Sequence, residues 1–299
     1  MLVSIENTKI PALGEAPKGQ RPEWLRAPAP VGANYRELKD LIARLGLHTV
    51  CESAACPNVG DCWNRRTATF MILGNVCTRR CGFCAVQKGA PLEVDLDEPR
   101  RVAEAVAAMG LRYAVVTSVN RDDRKDGGAL LFAMTIAAIH ERIPGCKVEV
   151  LVPDFQGRRE AMEIVMEAGP DVLNHNTETV PRLYRQVRLG ARFERSLDML
   201  AYAKQLRPRT PTKSGLMLGL GELGEEVLDV MKALRGSQVD ILTLGQYLRP
   251  TPKHLPVIRY IAPAEFAEYR RTGYELGFAH VEAGPLVRSS YHADEAVNG

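Results

Sequence analysis

Long apolar runs are missing from this chain of 299 residues. No stretch reaches the roughly 18 uninterrupted apolar residues of a membrane-spanning helix. The first 30 residues also lack the charged segment followed by an apolar one that marks a secretory signal. We therefore expect no membrane partner and a cytoplasmic location, where cysteine thiols stay reduced.

A long basic run is missing as well. The 39 basic and 36 acidic residues leave a net charge of only +3, and arginine pairs such as Arg79-Arg80 and Arg100-Arg101 are scattered. Nucleic-acid binding would need positive charge concentrated in one place. The sequence therefore predicts no nucleic-acid partner, and its electrostatics alone indicate no other partner.

Histidine is scarce around the cysteines, and six of the seven cysteines form two groups of three. These are the upstream trio, Cys51, Cys56 and Cys62, and the downstream trio, Cys77, Cys81 and Cys84. No histidine lies between residues 49 and 139, whereas a structural zinc needs four protein ligands. Reduced thiols also disfavour disulfides. Each trio therefore leaves one metal position for another ligand.

Residues 68–284 alternate short β-rich runs with amphipathic helical stretches. Six strand–helix units follow one another, and a short strand at 278–284 ends the series. Such alternation predicts an α/β fold with parallel strands and right-handed helical crossovers. Six units are fewer than the eight of a closed barrel, so we predict a partial (β/α)6 TIM-type barrel, although a doubly wound sheet also fits the pattern.

Two flanking parts complete the predicted organisation. Residues 1–67 form an N-terminal arm, a helix and the cysteine loop of a cluster-binding extension, and residues 285–299 form a C-terminal tail over the barrel mouth. Ligands of such folds gather at the C-terminal ends of the strands. The polar segments that follow the predicted strands should therefore converge on one face. Besides the downstream trio, they are 120–123, 153–155, 174–176, 219–222 and 246–247.

The downstream trio has the spacing Cys-x3-Cys-x2-Cys in the loop after the first strand of the barrel. A ferredoxin-type cluster takes four thiolates, so three cysteines leave one iron open. With this spacing the chain resembles the radical S-adenosylmethionine (SAM) superfamily. The resemblance implies that Cys77, Cys81 and Cys84 hold a catalytic 4Fe–4S cluster whose open iron chelates SAM. The reduced cluster would cleave SAM into methionine and a 5′-deoxyadenosyl radical.

The same resemblance implies SAM contacts at the ends of the fourth and fifth strands. The candidate cofactor-binding residues are Asn174, Asn176, Glu178, Arg188, Gly219, Gly221 and Glu222. Glycines let the backbone approach a ligand closely, and the amides and carboxylate suit ribose hydroxyls and an amino group. Loop capping and an ordinary strand-to-helix turn are the structural alternatives. Residues 121–123 also lie near the expected site, but no single role is assigned to any of them.

The upstream trio, spaced Cys-x4-Cys-x5-Cys, narrows the resemblance when it is combined with the closing motif RSSYHA at 288–293. With the blocks GLHTVCESAACPN, CTRRCGFC, RDDRKDGGA, LVPDF, HNTETVPR, TKSGLMLGLGE and LTLGQYLRP, the chain resembles the lipoyl synthase family over nearly its whole length. The resemblance implies a second, auxiliary 4Fe–4S cluster on Cys51, Cys56 and Cys62. Its fourth ligand would be Ser290, which thereby joins the catalytic residues, with Ser289 as the close alternative.

The activity implied by this resemblance is the insertion of two sulfur atoms at carbons 6 and 8 of a protein-bound octanoyl-lysine, which gives lipoyl-lysine. The sulfur would come from the auxiliary cluster, with SAM as co-substrate. The implied partners are octanoylated lipoyl carrier domains (E2 subunits of 2-oxoacid dehydrogenases and the glycine cleavage H protein), an electron donor such as flavodoxin or ferredoxin, and an iron–sulfur carrier. Two alternatives stay open: a tRNA methylthiotransferase with two clusters, and a non-catalytic zinc-binding module.

Overall fold

A computed structural model describes residues 21–27, 29–54, 56–64, 67–291 and 293. Residues 1–20 of the predicted arm, and His292 and residues 294–299 of the predicted tail, lie outside these ranges. The strands are β1 (His48–Thr49), β2 (Thr69–Ile72), β3 (Val76–Cys77), β4 (Gln87–Lys88), β5 (Tyr113–Ser118), β6 (Lys147–Leu151), β7 (Val172–Asn174), β8 (Thr212–Leu218), β9 (Ile241–Gln246) and β10 (His280–Gly284).

Helices separate most of these strands along the chain. They are α1 (Ala33–Arg44), α2 (Val50–Ser53), α3 (Val59–Asn64), α4 (Glu98–Met109), α5 (Ala129–Arg142), α6 (Arg159–Glu167), α7 (Tyr184–Val187), α8 (Phe193–Leu206), α9 (Gly224–Gly236) and α10 (Pro263–Glu275). Within the described ranges, no helix is long and apolar enough to cross a membrane.

The main sheet has eight strands in the order β1-β2-β5-β6-β7-β8-β9-β10. All neighbours from β2 to β10 are parallel, and β1 alone runs antiparallel, beside β2. A doubly wound sheet has a point at which the strand order reverses, whereas this order follows the chain. The prediction of a partial (β/α)6 barrel with six crossovers is therefore confirmed.

Helices cover the outer face of this sheet, so whole strands are buried. All residues of β2 and β9 are buried, as expected for parallel strands enclosed on both faces. Helices α4, α5 and α6 pack against β2, β5 and β6 in one apolar cluster, and α9 and α10 pack against β8, β9 and β10 in another. Phe132 is fully buried in the first cluster, and its truncation to Ala would cost about 4 kcal/mol.

Both flanking parts are fixed to the barrel by short contacts. In the N-terminal part, β1 pairs with β2 and so places α2 beside the edge of the sheet. In the C-terminal part, Val287 crosses β9 at Gly245, where a side-chain Cβ would lie 2.1 Å from the Val287 carbonyl oxygen. Glycine at this position therefore permits the crossing. Asn58 donates a 2.7 Å hydrogen bond to the Leu286 carbonyl, which joins the tail to the cysteine-bearing extension.

Candidate active site

A cavity of about 340 Å³ lies at the C-terminal ends of the barrel strands. Its lining includes residues that lie one or two positions after the ends of four different strands: Asn120, Pro153, Asn176 and Tyr247. The expected convergence of the strand-end segments is thus confirmed for these positions. All three cysteines of the downstream trio, two of the upstream trio and both tail serines share the same lining.

The downstream trio lies in a loop whose two ends are held together. Strands β3 and β4 pair in parallel, with Cys77 opposite Lys88. Lys88 donates a 3.1 Å hydrogen bond to the Cys81 carbonyl. The Cys77 sulfur accepts one of 3.3 Å from the Asn120 backbone nitrogen. The local pairing therefore points the three half-buried thiols into the cavity.

Arg79, between the first two cysteines of this loop, lines the cavity, although no sequence motif indicated a role for it. Its guanidinium binds Asp122 at 2.7 and 2.9 Å and Asp154 at 2.5 Å, and both Arg79 and Asp154 are buried. Although burial opposes its charge, the bonds to the two carboxylates raise the pKa of Arg79 above its ordinary range. Burial likewise opposes ionisation of Asp154, but Arg79 holds the pKa of that carboxyl well below its usual range. The network anchors the cysteine loop to the ends of β5 and β6.

The upstream trio is carried by two short helices beside β2. Cys51 lies in α2 and Cys62 in α3, with Cys56 between them. Cys51 and Cys56 line the cavity, whereas Cys62 is half-buried outside its lining. Burial raises the pKa of Cys51 to about 11 and that of Cys81 in the downstream trio to about 12. Metal binding at either trio must therefore displace thiol protons.

The two tail serines face different parts of the cavity. Ser290 accepts a 2.7 Å hydrogen bond from the Thr69 hydroxyl, and the Thr69 backbone also hydrogen-bonds to Cys51. Ser289 accepts a 2.6 Å hydrogen bond from Asn176, on the side of β7. Of the two, Ser290 is therefore the serine that shares a direct neighbour with the upstream trio.

Three of the candidate SAM contacts lie together in the cavity lining: Asn176, Glu178 and Arg188. The Asn176 amide donates to Glu178 at 3.1 Å, and the backbone of Glu178 has a φ of 66°. Arg188 is buried, and it donates to the Ser196 hydroxyl at 3.1 Å. The site thus presents an amide, a carboxylate and a guanidinium, which are complementary to a zwitterionic amino acid.

The other four candidate contacts lie outside the cavity lining. The Asn174 amide donates to Glu149 at 2.8 Å, and Lys213 binds the same carboxylate at 3.1 Å. This buried ionic group lies inside the barrel. Because its amide donates to Glu149, Asn174 has a structural role. A contact between Asn174 and SAM stays a prediction.

The glycine motif after β8 forms a tight turn. Gly219 and Gly221 have φ values of 103° and 106°, which favour glycine. The Glu222 carboxylate accepts hydrogen bonds from the Gly219 and Leu220 backbone nitrogens and so closes the turn on itself. Contacts of this turn with SAM also stay predictions.

Several buried polar atoms beside the cavity lack a partner within the described residues. Ser118 Oγ, Asn120 Oδ1 and Asn176 Oδ1 make no hydrogen bond there, and all three residues line the cavity. Buried polar atoms in folded proteins are nearly always paired. The cavity therefore suits a ligand rich in polar groups, as SAM is.

The donor set also suits a cluster rather than a single ion. In the part of the chain that the structure describes, no three His, Cys, Asp or Glu side chains are close enough together to hold one metal ion. A mononuclear zinc site would need four ligands around one point. In a four-iron cluster each thiolate binds a different iron, so the cysteines of a trio need not converge on one point.

Known proteins resemble this chain over nearly all of its length. A model of the radical SAM superfamily matches residues 71–234, and a model of the N-terminal domain of lipoyl synthase matches residues 6–56. A lipoyl synthase from Rubrobacter xylanophilus is 61% identical over 96% of this chain and 89% of its own. The chain belongs to the lipoyl synthase family. A further lipoyl synthase, from Koribacter versatilis, is 62% identical over 93% of this chain and 91% of its own.

Membership of the lipoyl synthase family makes this chain a radical SAM enzyme of lipoate biosynthesis. It implies a 4Fe–4S cluster, SAM and an auxiliary cluster. Solved structures agree on the fold. Methylornithine synthase (PylB) has a TM-score of 0.56 at 15% identity, covering 85% of this chain and 84% of its own. SuiB of Streptococcus suis bound to S-adenosylmethionine has a TM-score of 0.54 at 12% identity, covering 82% of this chain and 53% of its own.

Proposed function

We propose that this enzyme inserts two sulfur atoms at carbons 6 and 8 of an octanoyl-lysine on a carrier protein. The observation that carries the proposal is that cysteines of both trios and Ser290 line one cavity. A substrate chain in that cavity would reach a hydrogen-abstracting centre and a sulfur source without leaving the protein. Thiols that bind a cluster must stay reduced, which suits a reducing compartment, so we place the reaction in the cytoplasm.

The downstream trio would hold the cluster that binds SAM, within the barrel part of the chain, residues 68–284. When bound, this cluster and SAM supply a 5′-deoxyadenosyl radical, which removes hydrogen atoms from unactivated C–H bonds. Arg79 keeps the cysteine loop against the strand ends through its two carboxylate partners. Arg188, Glu178 and Asn176 line the same cavity. Arg188 would bind the carboxylate of SAM and Glu178 its amino group.

The upstream trio and Ser290 would hold the auxiliary cluster between the extension, residues 1–67, and the tail, residues 285–299. A serine hydroxyl is a weaker ligand for iron than a thiolate, so Ser290 can leave more easily than a cysteine. Burial raises the pKa of the Cys56 thiol, and the charge of Arg288 acts against that rise. These features suit a cluster that is consumed as the sulfur source.

The cavity lining also suits an aliphatic chain. Its apolar members include Met71, Phe83, Leu151, Leu216 and Met217. Apolar lining with a few convergent polar groups is typical of small-molecule sites. An octanoyl chain would therefore gain burial of its methylenes, each worth about 0.8 kcal/mol. As carrier proteins we propose octanoylated lipoyl domains and the glycine cleavage H protein, with a flavodoxin or ferredoxin as electron donor and an iron–sulfur carrier that rebuilds the cluster.

Anaerobic turnover tests this proposal. The reconstituted enzyme, which should hold about eight iron atoms per chain, is incubated with SAM, dithionite and an octanoyl-lysine peptide, and the product is read by mass spectrometry. We expect a gain of two sulfur atoms. Cys146→Ala is the matched control, because this buried thiol belongs to neither trio and lies beside Lys147, at the start of β6. A methylthio product, or zinc in place of iron, would contradict the proposal.

A further inference from the structure

Three segments beside the cavity contain basic residues and no acidic residue. They span 74–90, 179–193 and 247–261, and together they hold ten of the 39 basic residues and none of the 36 acidic ones. Because the whole chain carries a net charge of only +3, the rest of the chain is net negative. We call these three segments the basic rim.

The fold joins the three segments into one surface around the cysteine loop. Gly82 donates a 3.0 Å backbone hydrogen bond to Val187, and Leu255 donates one of 3.1 Å to Gly82. The His254 ring lies 3.1 Å from the carbonyl oxygen of Cys84. Three segments that are far apart in sequence therefore meet at the downstream trio.

Several cations of the rim are exposed and carry uncompensated charge. Arg79, Arg182 and Arg259 are paired with carboxylates from outside the rim, and Arg188 is buried. The remaining six are exposed and form no ion pair with a carboxylate in the described part of the chain: Arg80, Lys88, Arg185, Arg192, Arg249 and Lys253. Clustered charge of one sign opposes folding by self-repulsion and attracts a partner of opposite sign.

We propose that the basic rim docks an acidic protein surface that flanks the octanoylated lysine of the carrier. This inference rests on the proposed function, which requires a protein-bound substrate. Acylation removes the charge of the lysine, so charge-based recognition must act on the residues around it. Lys88 and Pro250 belong both to the rim and to the cavity lining. A carrier docked on the rim would therefore hold its acyl chain at the cavity.

The aromatic residues of the rim favour a protein partner over a nucleic acid. Single-stranded nucleic acids bind to exposed aromatic rings on which their bases stack. Tyr184 and Tyr247 are buried, and Phe83, Phe193 and Tyr260 pack half-buried against the apolar core. The rim thus offers charge without a stacking surface.

Two octanoyl-lysine peptides test the proposal, one flanked by Glu and Asp and one flanked by Gln and Asn. Dithionite supplies the electrons, so no donor protein competes for the rim. We expect kcat/KM for the acidic peptide to be roughly tenfold higher at low ionic strength, and the difference to vanish near roughly 0.5 M salt, which screens exposed charges. Equal values at low salt would overturn the docking inference. Failure of both peptides to gain sulfur would instead overturn the proposed function.

A double charge reversal tests whether the preference for the acidic peptide arises at the basic rim. Arg185→Glu with Lys253→Glu should remove the preference for the acidic peptide, whereas Arg142→Glu with Arg209→Glu, the same charge change at the other end of the barrel, should retain it. Iron content checks cluster loading, and Arg185→Gln with Lys253→Gln serves if the charge-reversed variant loses iron. If the rim variants slow only the reaction driven by reduced flavodoxin, or weaken only the binding of an RNA oligonucleotide, the rim serves a different partner and the proposal is wrong.

Discussion

The two cysteine trios are held by different kinds of interaction. The downstream trio lies in a loop whose buried Arg79 binds two carboxylates, one of them completely buried. Cys51 and Cys62 of the upstream trio lie on two short helices. The described hydrogen bonds of the tail beside this trio are neutral, from Thr69 to Ser290 and from Asn58 to Leu286, and Arg288 acts on Cys56 through its charge alone. Hydrogen bonds to charged groups contribute about 1.5–3 kcal/mol each, and neutral ones about 1 kcal/mol.

This difference matches the two fates that we propose for the clusters. A cluster that acts repeatedly needs a fixed position relative to the substrate, because misplacement by about 1 Å is costly in rate. A cluster that supplies sulfur needs a ligand that can leave, and the tail offers one through weak contacts. The charged anchor therefore holds the cluster that we propose to be catalytic, and the releasable contact lies at the cluster that we propose to supply sulfur.

Loss of a downstream cysteine should have the largest effect. Cys81→Ala removes a thiolate from the SAM-binding cluster, so we expect formation of 5′-deoxyadenosine to fall to background. Chromatographic assay of 5′-deoxyadenosine with SAM and dithionite measures this. Cys146→Ala should keep the wild-type rate, and radical formation by the Cys81 variant would show that the downstream trio is not the catalyst.

Loss of an upstream cysteine should separate the two trios. Cys56→Ala leaves the downstream trio intact, so we expect formation of 5′-deoxyadenosine to persist while sulfur insertion is abolished. Parallel assays of 5′-deoxyadenosine and of product mass measure both, and the iron content should fall to about four atoms per chain. If this variant still produced the thiolated peptide, the upstream cluster would not be the sulfur source.

The tail serines should have the next largest effect. Ser290→Ala removes the proposed fourth ligand beside Cys51, so we expect product formation to fall by roughly tenfold or more. Ser289→Ala removes only the hydrogen bond from Asn176, which is worth about 1 kcal/mol, and should cost less. Single-turnover product yield compares the two variants, and the reverse order would assign the ligand to Ser289.

The sequence predicted the elements of this fold better than their arrangement. The alternation of strand and helix predicted seven parallel strands, but both a barrel and a doubly wound sheet satisfy it, and only the pairing order decides between them. The motif at 174–176 predicted a cluster of polar residues, yet Asn174 bonds into the barrel while Asn176 lines the cavity. Residues two apart share one face of a strand, so these two side chains differ in their depth along the barrel. That depth depends on where the strand ends in the fold, which the sequence does not specify.

Ion pairs between residues far apart in the chain could not be predicted from the sequence either. Arg79 binds residues 43 and 75 positions away, and no local pattern selects those partners, although an arginine enclosed by two cluster cysteines was a usable signal. The basic rim was missed for the same reason. Its cations are scattered along the chain, and the fold brings them to one side of the cavity.

Weakening the anchor of the downstream loop should have a smaller effect than losing a ligand. Asp154→Asn removes a buried carboxylate from Arg79, so we expect the free energy of unfolding to fall by about 3 kcal/mol, together with a slower formation of 5′-deoxyadenosine. Urea denaturation and the nucleoside assay measure the two effects. Asp97→Asn breaks an exposed pair with Arg100, which solvent screens, and should lower the free energy of unfolding much less. Equal costs would mean that the buried network does not anchor the loop.

Acid should weaken the side of the barrel that carries the downstream anchor, through His175. Burial lowers the pKa of His175 to about 4, and the charge of Arg188 acts in the same direction. The ring lies 2.8 Å from the Val152 carbonyl, which fixes the proton on Nδ1, and Nε2 accepts from Ser196 at 2.9 Å. The unfolded chain binds a proton near pH 6.5 and the folded chain does not, so stability falls as pH decreases below that value.

The size of the acid effect follows from the gap between these pKa values. Between pH 7 and pH 5 the His175 contribution to the free energy of unfolding should fall by about 2 kcal/mol. Urea denaturation at both pH values measures this for the wild type and for His175→Gln, which has no group that titrates in the range. The variant is less stable at pH 7 because it loses the ring contacts, but its stability should decrease less between the two pH values. Equal decreases would show that His175 is protonated in the folded protein at pH 5. The side of the barrel that carries the downstream anchor would then be no more sensitive to acid than the rest of the protein.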